Sequence, residues 1–320
     1  MDEFELIARY FSRVGADRPD VALGVGDDAA LLRMPADADL AAAVDTIVAG
    51  RHFPLDADAR SIGHRALAVN LSDLAAMGAT PAWATLALTM PNAQADWLER
   101  FARGFSDLAY AHGVALVGGD TTAGPLTVSV QVMGHVPRGT ALRRDGAHAG
   151  DLLVVTGTLG DSGAGLAIAT HALSTADATA SRELLERFEY PAPRVAFGSA
   201  ARGLATAAMD LSDGLVGDLP KLAGASGLGA RVDVERLPLS RSLQAVARPD
   251  QVRDWALAAG DDYELLLAVP PRHLESLTSR AGQLNLRLTV IGELGRGNAV
   301  NWMLDGAGFA PTVRGFDHFR

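Results

Sequence analysis

The feature that most limits the fold of this chain is an alternation of strand-like and helix-like segments that occurs twice. In the first half, apolar residues recur at nearly helical spacing over Asp56–Gly78, and the strand-like segment Trp83–Met90 follows. A segment rich in Gly, Arg and Asp, Val136–Asp151, then interrupts the pattern before strands and helices alternate again. Such alternation predicts α/β or α+β layers, in two domains at residues 1–145 and 146–320.

Composition agrees with two folded domains and excludes several classes of function. The 320 residues are 48% hydrophobic and 21% charged, so the chain has enough apolar residues for two cores. The net charge of −10 argues against a nucleic-acid partner, because phosphate backbones attract basic surfaces. Without cysteine, the chain has no disulfide, no thiolate zinc site and no cysteine nucleophile.

The N-terminal segment and the longest uncharged segment both argue against a membrane partner. The opening MDEFELIARYF lacks the basic-then-apolar order of a secretory signal. The segment Leu74–Ala95 is long enough to span a bilayer, but Gly78, Pro81 and Pro91 interrupt it. We therefore expect a cytoplasmic protein.

The most informative side chains are aspartates that stand beside turns or within apolar segments. A single Asp at a strand end is usually a helix cap or a turn former. Several of them in apolar or glycine-rich surroundings are costly unless each is paired or bound to a cation. Mg²⁺ prefers oxygen ligands and shares its coordination shell with phosphates, so it suits this set. The positions are Asp27, Asp28, Asp45, Asp73, Asp120, Asp210 and Asp213.

Two glycine-rich segments suggest close approach of the main chain to a neighbour. Gly118 and Gly119 precede Asp120 and would allow the backbone to approach an anion. In TGTLGDSGAGL, Thr156–Leu166, the glycines fit either a phosphate loop or a turn followed by a tightly packed helix. This segment lacks the Gly-Lys-Ser/Thr of a Walker motif, and the sequence leaves both interpretations open.

Segments spread along the chain carry a resemblance to a known family: GVGDDAALL, VDTIVAGRHF, LAVNLSDLAAMGATPAW, LVGGDTT, TGTLGDSGAGL, MDLSDGL, GDDYELL and GFDHF. They resemble the thiamine-monophosphate kinase family, within the superfamily of aminoimidazole ribonucleotide synthetase. The resemblance runs from about residue 4 to residue 319. It implies an N-terminal α/β domain whose sheet pairs across a homodimer, and a C-terminal α/β domain. It also implies phosphoryl transfer from ATP to thiamine monophosphate, assisted by several Mg²⁺ ions.

The resemblance implies roles for individual residues as well. Its metal ligands would be Asp28, Asp45, Asp73, Asp120, Asp210 and Asp213. Its contacts with ATP would be Gly119, Asp120, Arg144 and Ser212. Its contacts with thiamine monophosphate would be His52 and Asp261.

Two positions depart from the family's pattern. Ala43 and Val44 stand where members often have hydroxyl residues, so only main-chain oxygen is available there as a metal ligand. Val313 stands where some members place a tryptophan against the thiamine ring. We expect Phe316, and as a second choice Trp302, to supply the aromatic face instead.

The chemistry of the implied reaction fits a site made of carboxylates and metal. Both substrates are anionic, so transfer needs positioning and cancellation of charge more than covalent help. The acceptor phosphate is already ionised near neutral pH, because its second pKa is about 6. We therefore expect direct in-line transfer without a general base, and no catalytic residue beyond the metal ligands.

Rival functions exist inside and outside the superfamily. Selenophosphate synthetases and the hydrogenase-maturation members need a reactive cysteine, and this chain has none. Aminoimidazole ribonucleotide synthetase itself is the enzymatic alternative, although its motif wording differs from NLSDLAAMGA. A non-catalytic nucleotide or divalent-cation sensor is the alternative from another class, and a turnover assay with ATP and thiamine monophosphate separates all three.

Overall fold

The structure, a computed structural model, describes residues 3–316 and divides the chain into two compact units. The first unit is Met1–Leu74 with Ala79–Gly139, and the second is Ala75–Gly78 with Thr140–Arg320. The closing GFDHF segment lies outside the described residues from position 317 onwards. Within the described residues, none of the helices is both long enough and apolar enough to cross a bilayer.

The first unit is built on a four-stranded sheet in the order β3-β6-β4-β5. Strands β4 and β5 are parallel, and β6 pairs antiparallel with both β3 and β4. The short strands β1 and β2 form a separate antiparallel pair. The elements are α1 (Glu3–Tyr10), β1 (Val21–Leu23), β2 (Leu31–Leu32), β3 (Ala38–Val48), α2 (Ala59–Ala76), β4 (Thr80–Met90), α3 (Ala95–Ala111), β5 (Ala115–Ala123) and β6 (Thr127–Pro137).

Helices α2 and α3 pack closely because each contributes a glycine at their crossing. A Cβ on Gly63 of α2 would lie 2.1 Å from the carbonyl oxygen of Phe101 in α3. In the same way, a Cβ on Gly104 of α3 would lie 1.9 Å from the carbonyl oxygen of Arg60 in α2. Neither position tolerates a larger residue without a shift of main chain, so this contact fixes the path of α2, which carries the NLSD motif.

The second unit is built on a seven-stranded sheet in the order β13-β12-β9-β11-β7-β10-β8. Its neighbouring strands are antiparallel except for the parallel pair β9 and β12. The elements are β7 (Leu152–Thr156), α4 (Asp161–Ala169), α5 (Ala178–Glu189), α6 (Val195–Ala201), β8 (Ala207–Asp210), α7 (Leu215–Ala225), β9 (Gly229–Asp233), α8 (Arg241–Val246), α9 (Pro249–Ala258), β10 (Leu265–Val269), α10 (Leu274–Gln283), β11 (Leu288–Gly295), β12 (Val300–Leu304) and β13 (Ala307–Phe309), with 3₁₀ turns at Val234–Arg236 and Pro271–His273.

The central strands of this sheet are apolar over their whole length because both faces are covered. Every residue of β10, LLLAV, is buried, and in the neighbouring β7 only Leu152 is partly exposed. The edge strand β8 is buried over its whole length as well. Leu215, Leu219 and Leu222 of α7 pack on the core that these strands form. A strand covered on both faces loses the alternation of apolar and polar residues that marks a half-exposed one. The predicted mixed α/β architecture is therefore confirmed in both halves.

Candidate active site

A pocket of about 440 Å³ in the first unit brings together carboxylates and glycines from distant parts of the sequence. Asp27 and Asp28 line it from the loop between β1 and β2, and Gly118, Gly119 and Asp120 line it from β5. Asp28, Gly119 and Asp120 are also exposed to solvent. The structure thus places two predicted metal ligands and a predicted ATP contact around one cavity.

Gly119 is required by the sheet itself. It pairs with Leu86 in the parallel β4–β5 ladder, and its φ is +155°. A Cβ at this position would lie 1.9 Å from the carbonyl oxygen of Leu86, a distance that no side chain tolerates. Packing therefore explains the glycine without any ligand, and the contact between Gly119 and ATP stays a prediction.

Asn70 ties α2 to the strand that carries Asp45. Its side chain is completely buried, and its Oδ1 accepts the main-chain N–H of Asp45 at 2.9 Å. Its Nδ2 donates to the carbonyl oxygen of Ala66 at 2.9 Å. Asp73 follows in the same helix and is half-buried. Asn70 was not among the predicted site residues. An amide within an apolar helical segment indicates such a residue, because a buried polar group needs hydrogen-bond partners.

The contact of His52 fixes which of its ring nitrogens carries the proton. Its Nδ1 accepts the main-chain N–H of Val48 at 3.0 Å, and the ring is half-buried. A ring nitrogen that accepts a hydrogen bond has no proton, so neutral His52 is protonated at Nε2. That nitrogen is a donor and therefore suits an anionic oxygen of a substrate.

In the second unit, the turn after β8 is held by a carboxylate that the sequence analysis missed. The Oδ2 of the buried Asp218 accepts the main-chain N–H groups of Ser212 at 3.1 Å and Asp213 at 2.9 Å. Lys221 donates to Asp213 at 2.6 Å and to Asp218 at 2.9 Å. Burial raises the pKa of Asp218, and its hydrogen bond with Lys221 opposes that shift. Asp210, just before the turn, is buried at 5% exposure.

A second loop and the end of the described chain lie against this turn. The main-chain N–H of Asp261 donates to the carbonyl oxygen of Ser212 at 2.9 Å. The main-chain N–H of Phe316 donates to the carbonyl oxygen of Asp213 at 3.0 Å, and its side chain is exposed. In contrast, Val313 packs on the core of this unit. The structure therefore gathers Ser212, Asp213, Asp261 and Phe316, which were predicted to contact ATP, metal or acceptor.

Arg144 lies beside β8 with its guanidinium exposed. The carbonyl oxygen of Arg143 accepts the main-chain N–H of Ala208 at 3.1 Å, so this segment lies beside β8. Arg143 forms a double hydrogen bond with Asp145 at 2.6 and 2.8 Å. Within the described part of the chain, the guanidinium of Arg144 makes no such ion pair.

The glycine-rich segment before α4 is a packed turn, which decides between its two interpretations. The carboxyl of Asp262 accepts the main-chain N–H of Gly160 at 2.7 Å and that of Ser162 at 3.4 Å, so an internal group occupies the start of α4. A Cβ at Gly157 would lie 2.0 Å from Oε1 of Glu264, and one at Gly165 would lie 2.2 Å from a carbonyl oxygen of α5. The phosphate-loop interpretation is therefore wrong for this segment.

Comparisons with known proteins identify the family to which this chain belongs. Residues 26–136 match the model of the AIR synthase related protein, N-terminal domain, and residues 148–304 match that of the C-terminal domain. The chain is 46% identical over 318 residues to a thiamine-monophosphate kinase from Salmonella typhimurium, covering 99% of this chain and 98% of the relative. The chain belongs to the thiamine-monophosphate kinase family.

Solved structures of the thiamine-monophosphate kinase family share the fold over nearly the whole chain. The enzyme from Stenotrophomonas maltophilia K279a has a TM-score of 0.86 at 45% identity and covers 96% of both chains. AaThiL complexed with AMPPCP and TMP has a TM-score of 0.79 at 31% identity and covers 92% of both chains.

The predicted metal ligands of this family member fall into separate groups. Asp28 and Asp120 line the pocket of the first unit, whose lining, as described, does not include Asp45 or Asp73. Asp210 and Asp213 flank the turn of the second unit. Over residues 3–316, no three His, Asp or Glu side chains form a ready-made metal-binding group.

Proposed function

We propose that this chain transfers the γ-phosphoryl group of ATP to the phosphate of thiamine monophosphate, giving ADP and thiamine diphosphate. The observation that carries the proposal is the whole-length similarity to a curated thiamine-monophosphate kinase at 46% identity. The complex of a 31% identical relative with AMPPCP, a methylene analogue of ATP, and TMP supports both substrates. The use of ATP favours the cytoplasm as the place of this reaction.

The available donor atoms fit Mg²⁺ bound jointly by protein and substrate. All the predicted ligands are carboxylates, and Mg²⁺ is usually held by one or two carboxylates together with substrate phosphates and water. A site of that kind needs no preformed group of three acidic side chains, in keeping with the spacing of the described carboxylates. We assign Asp28, Asp45, Asp73, Asp120, Asp210 and Asp213 as the residues that hold it. The metal would cancel phosphate charge and align the reacting oxygens.

The residues themselves then position the two anionic substrates. Arg144 offers a charge-assisted donor to the phosphates of ATP, and Gly119 and Ser212 offer contacts from β5 and the turn after β8. An oxygen of the acceptor phosphate forms a bond to the γ-phosphorus while the bond to the β–γ bridging oxygen breaks, and ADP leaves with that electron pair. Direct transfer of this kind inverts the configuration at the γ-phosphorus, so retention in a chiral-phosphate experiment would contradict it.

His52, Asp261 and Phe316 are assigned as the acceptor contacts. His52 presents Nε2–H as a donor, since its Nδ1 is occupied by Val48. Asp261 and Phe316 are tied to the turn at Ser212 and Asp213 by main-chain hydrogen bonds. Phe316 is 41% exposed, whereas Trp302 packs against the core of its unit. We therefore assign the aromatic contact with the thiamine ring to Phe316.

Turnover with two acceptors tests the proposed function. At equal concentrations, ADP release should be fast with thiamine monophosphate and at least about a hundredfold slower with free thiamine, because only the former brings a phosphate to a site of this kind. In the same assay Phe316→Ala should raise KM for thiamine monophosphate. Comparable rates with free thiamine would make the protein a different kinase.

The exposed edge of the first sheet supports a homodimer. Strand β3 has a sheet neighbour on one side, β6, and carries Leu40 and Val44 at 53% and 63% exposure. A long edge strand with exposed apolar side chains is a surface that another strand can pair with. We propose that a second copy of this chain covers it.

Sedimentation equilibrium tests this proposal, with a dimeric mass expected for the unaltered chain. Leu40→Arg should shift the population towards the monomer, because a charge on an interface is costly to bury. Leu55→Arg is the matched control, since Leu55 is 82% exposed and lies outside the strand. A dimer that survives Leu40→Arg as well as Leu55→Arg would place the interface elsewhere.

A further inference from the structure

The loop that carries Asp261 has an unusual backbone that must be held by its surroundings. Gly260, Asp261 and Tyr263 have φ values of 73°, 59° and 50°. Residues other than glycine adopt this left-handed region at a cost, and they do so where the surrounding structure imposes it. Something other than local preference therefore keeps this loop in its conformation.

Main-chain hydrogen bonds hold the loop against the turn after β8. The N–H of Asp261 donates to the carbonyl oxygen of Ser212 at 2.9 Å, and that of Tyr263 donates to the carbonyl oxygen of Leu211 at 3.0 Å. The N–H of Leu211 donates in return to the carbonyl oxygen of Glu264 at 2.8 Å. The main chains of the two segments are thus hydrogen-bonded to each other. The contacts of the loop's side chains determine how firmly this pairing is held.

The side chains that follow Asp261 in the loop are buried. Asp262 is buried and accepts the N–H of Gly160 at 2.7 Å, which fastens the loop to the start of α4. Tyr263 is buried, and its hydroxyl donates to Oδ1 of Asp261 at 3.1 Å. Asp262 therefore fastens the main chain of the loop, and Tyr263 holds the carboxylate of Asp261.

We propose that Asp262 and Tyr263 are positioning residues for Asp261, and that they set the affinity for the acceptor substrate. This inference rests on the proposed function, in which Asp261 contacts thiamine monophosphate. Neither residue needs to touch a substrate. Each acts by fixing the orientation of a group that does, as supporting contacts do in other binding sites.

Steady-state kinetics of Asp262 variants provide the first test. Asp262→Ala should raise KM for thiamine monophosphate by about tenfold or more while leaving KM for ATP within about twofold. Asp262→Asn should remain within about threefold for both, because its amide oxygen still accepts the N–H of Gly160. Asp177→Ala is the matched control: Asp177 caps α5 by accepting two N–H groups at 3.0 Å, and its loss removes a comparable cap elsewhere.

Tyr263→Phe provides a second test that leaves the buried carboxyl group in place. It removes only the hydroxyl that holds Asp261, and it should raise KM for thiamine monophosphate by about threefold to tenfold without affecting KM for ATP. If Asp262→Ala fails to fold, this variant still decides the inference. Unchanged acceptor KM in Tyr263→Phe, or equal changes in both KM values, would overturn it.

Amide hydrogen exchange without any substrate separates this inference from the proposed function. In Asp262→Ala, exchange should accelerate at Gly160 and also at Asp261, whose N–H is bonded to Ser212. Acceleration at Gly160 alone, with normal acceptor KM, would show that Asp262 merely caps α4. If the unaltered chain does not phosphorylate thiamine monophosphate, the proposed function fails, and exchange at Asp261 still shows whether Asp262 fixes the loop.

Discussion

Asp120→Asn and Asp210→Asn should each reduce turnover by about a hundredfold or more at saturating Mg²⁺, by analogy with the loss of single electrostatic groups in other active sites. An amide keeps the size of the side chain and removes the charge that a metal ligand must supply. Asp120 lines the pocket of the first unit, and Asp210 ends β8 in the second. The same effect is expected for Asp73→Asn on α2.

Two surface carboxylates serve as matched controls for these variants. Asp107 pairs with Arg60 at 2.8 Å in the first unit, and Asp250 pairs with Arg248 at 3.5 Å in the second. Their Asn variants should keep normal turnover, because exposed ion pairs contribute little. Circular dichroism should show folded protein for all of these variants. Near-normal rates for the site variants would mean that these carboxylates serve the fold and that Mg²⁺ is held by other groups.

Glu264→Gln should lower the free energy of unfolding by about 3–5 kcal/mol, the usual cost of breaking a buried ion pair from one side. Glu264 is completely buried and accepts hydrogen bonds from Arg194 at 2.7 Å, Arg187 at 2.8 Å and Thr156 at 2.6 Å. Its replacement leaves two guanidinium groups without their shared partner. Urea unfolding at pH 7 measures the change, and Glu275→Gln, on the exposed start of α10, is the control.

The loss of stability in Glu264→Gln should depend on pH, in a direction that follows from the pKa of Glu264. Burial alone would raise the pKa of Glu264, but Arg194 and Arg187 outweigh it and leave the pKa lowered. A lowered pKa in the folded state means that the unfolded chain binds the proton first, so the stabilisation is present above the unfolded pKa and is lost as the pH falls through the folded one. The difference between the unaltered chain and Glu264→Gln should therefore shrink in acid. A difference that stays constant as the pH falls below about 4.5, the usual pKa of a glutamate, and on through the lowered folded pKa would contradict the role of the charge.

The contribution of Asp262 to the free energy of unfolding should change with pH in the opposite direction. Burial raises its pKa to about 8, against the hydrogen bond from Gly160. The folded protein then keeps a proton that the unfolded chain releases above about pH 4, so stability from this group falls as the pH rises towards 8. Unfolding of Asp262→Asn, which cannot titrate, supplies the reference curve.

The sequence predicted the parts of the site that depend on residues close together in the chain. Asp28, Asp120, Asp210 and Asp213 were predicted as metal ligands because each stands at a glycine-containing turn or at the end of an apolar segment. The structure places the first two at one pocket and the last two at one turn. The turn at Ser212 and the GDDYELL loop were also recognisable as segments. The contact between these two segments was not predictable, because no local pattern shows that residues about fifty positions apart exchange main-chain hydrogen bonds.

The partners that hold the site were harder to predict than the site itself. Glu264 meets Arg187 and Arg194 across separations of 77 and 70 residues, and no pattern in either segment points to the other. The same holds for Asn70, whose bond to Asp45 spans 25 residues. Strand β5 continues through a polar segment to Ala123, and this continuation follows from its register with β4 and from nothing in its own composition.

The carboxyl of Asp262, which occupies the start of α4, limits the inhibitors that can bind there. A phosphate-mimicking compound aimed at the glycine-rich turn would have to displace the carboxyl of Asp262 from the N–H of Gly160, and the glycines there leave no free volume against Glu264 and α5. Compounds that combine a charged group with an aromatic ring have a more accessible target in the second unit. The ring of Phe316 is 41% exposed, and its main-chain N–H is bonded to the turn at Asp213, so a planar compound can stack on it. Inhibitor design is therefore better directed at this ring than at the glycine-rich turn.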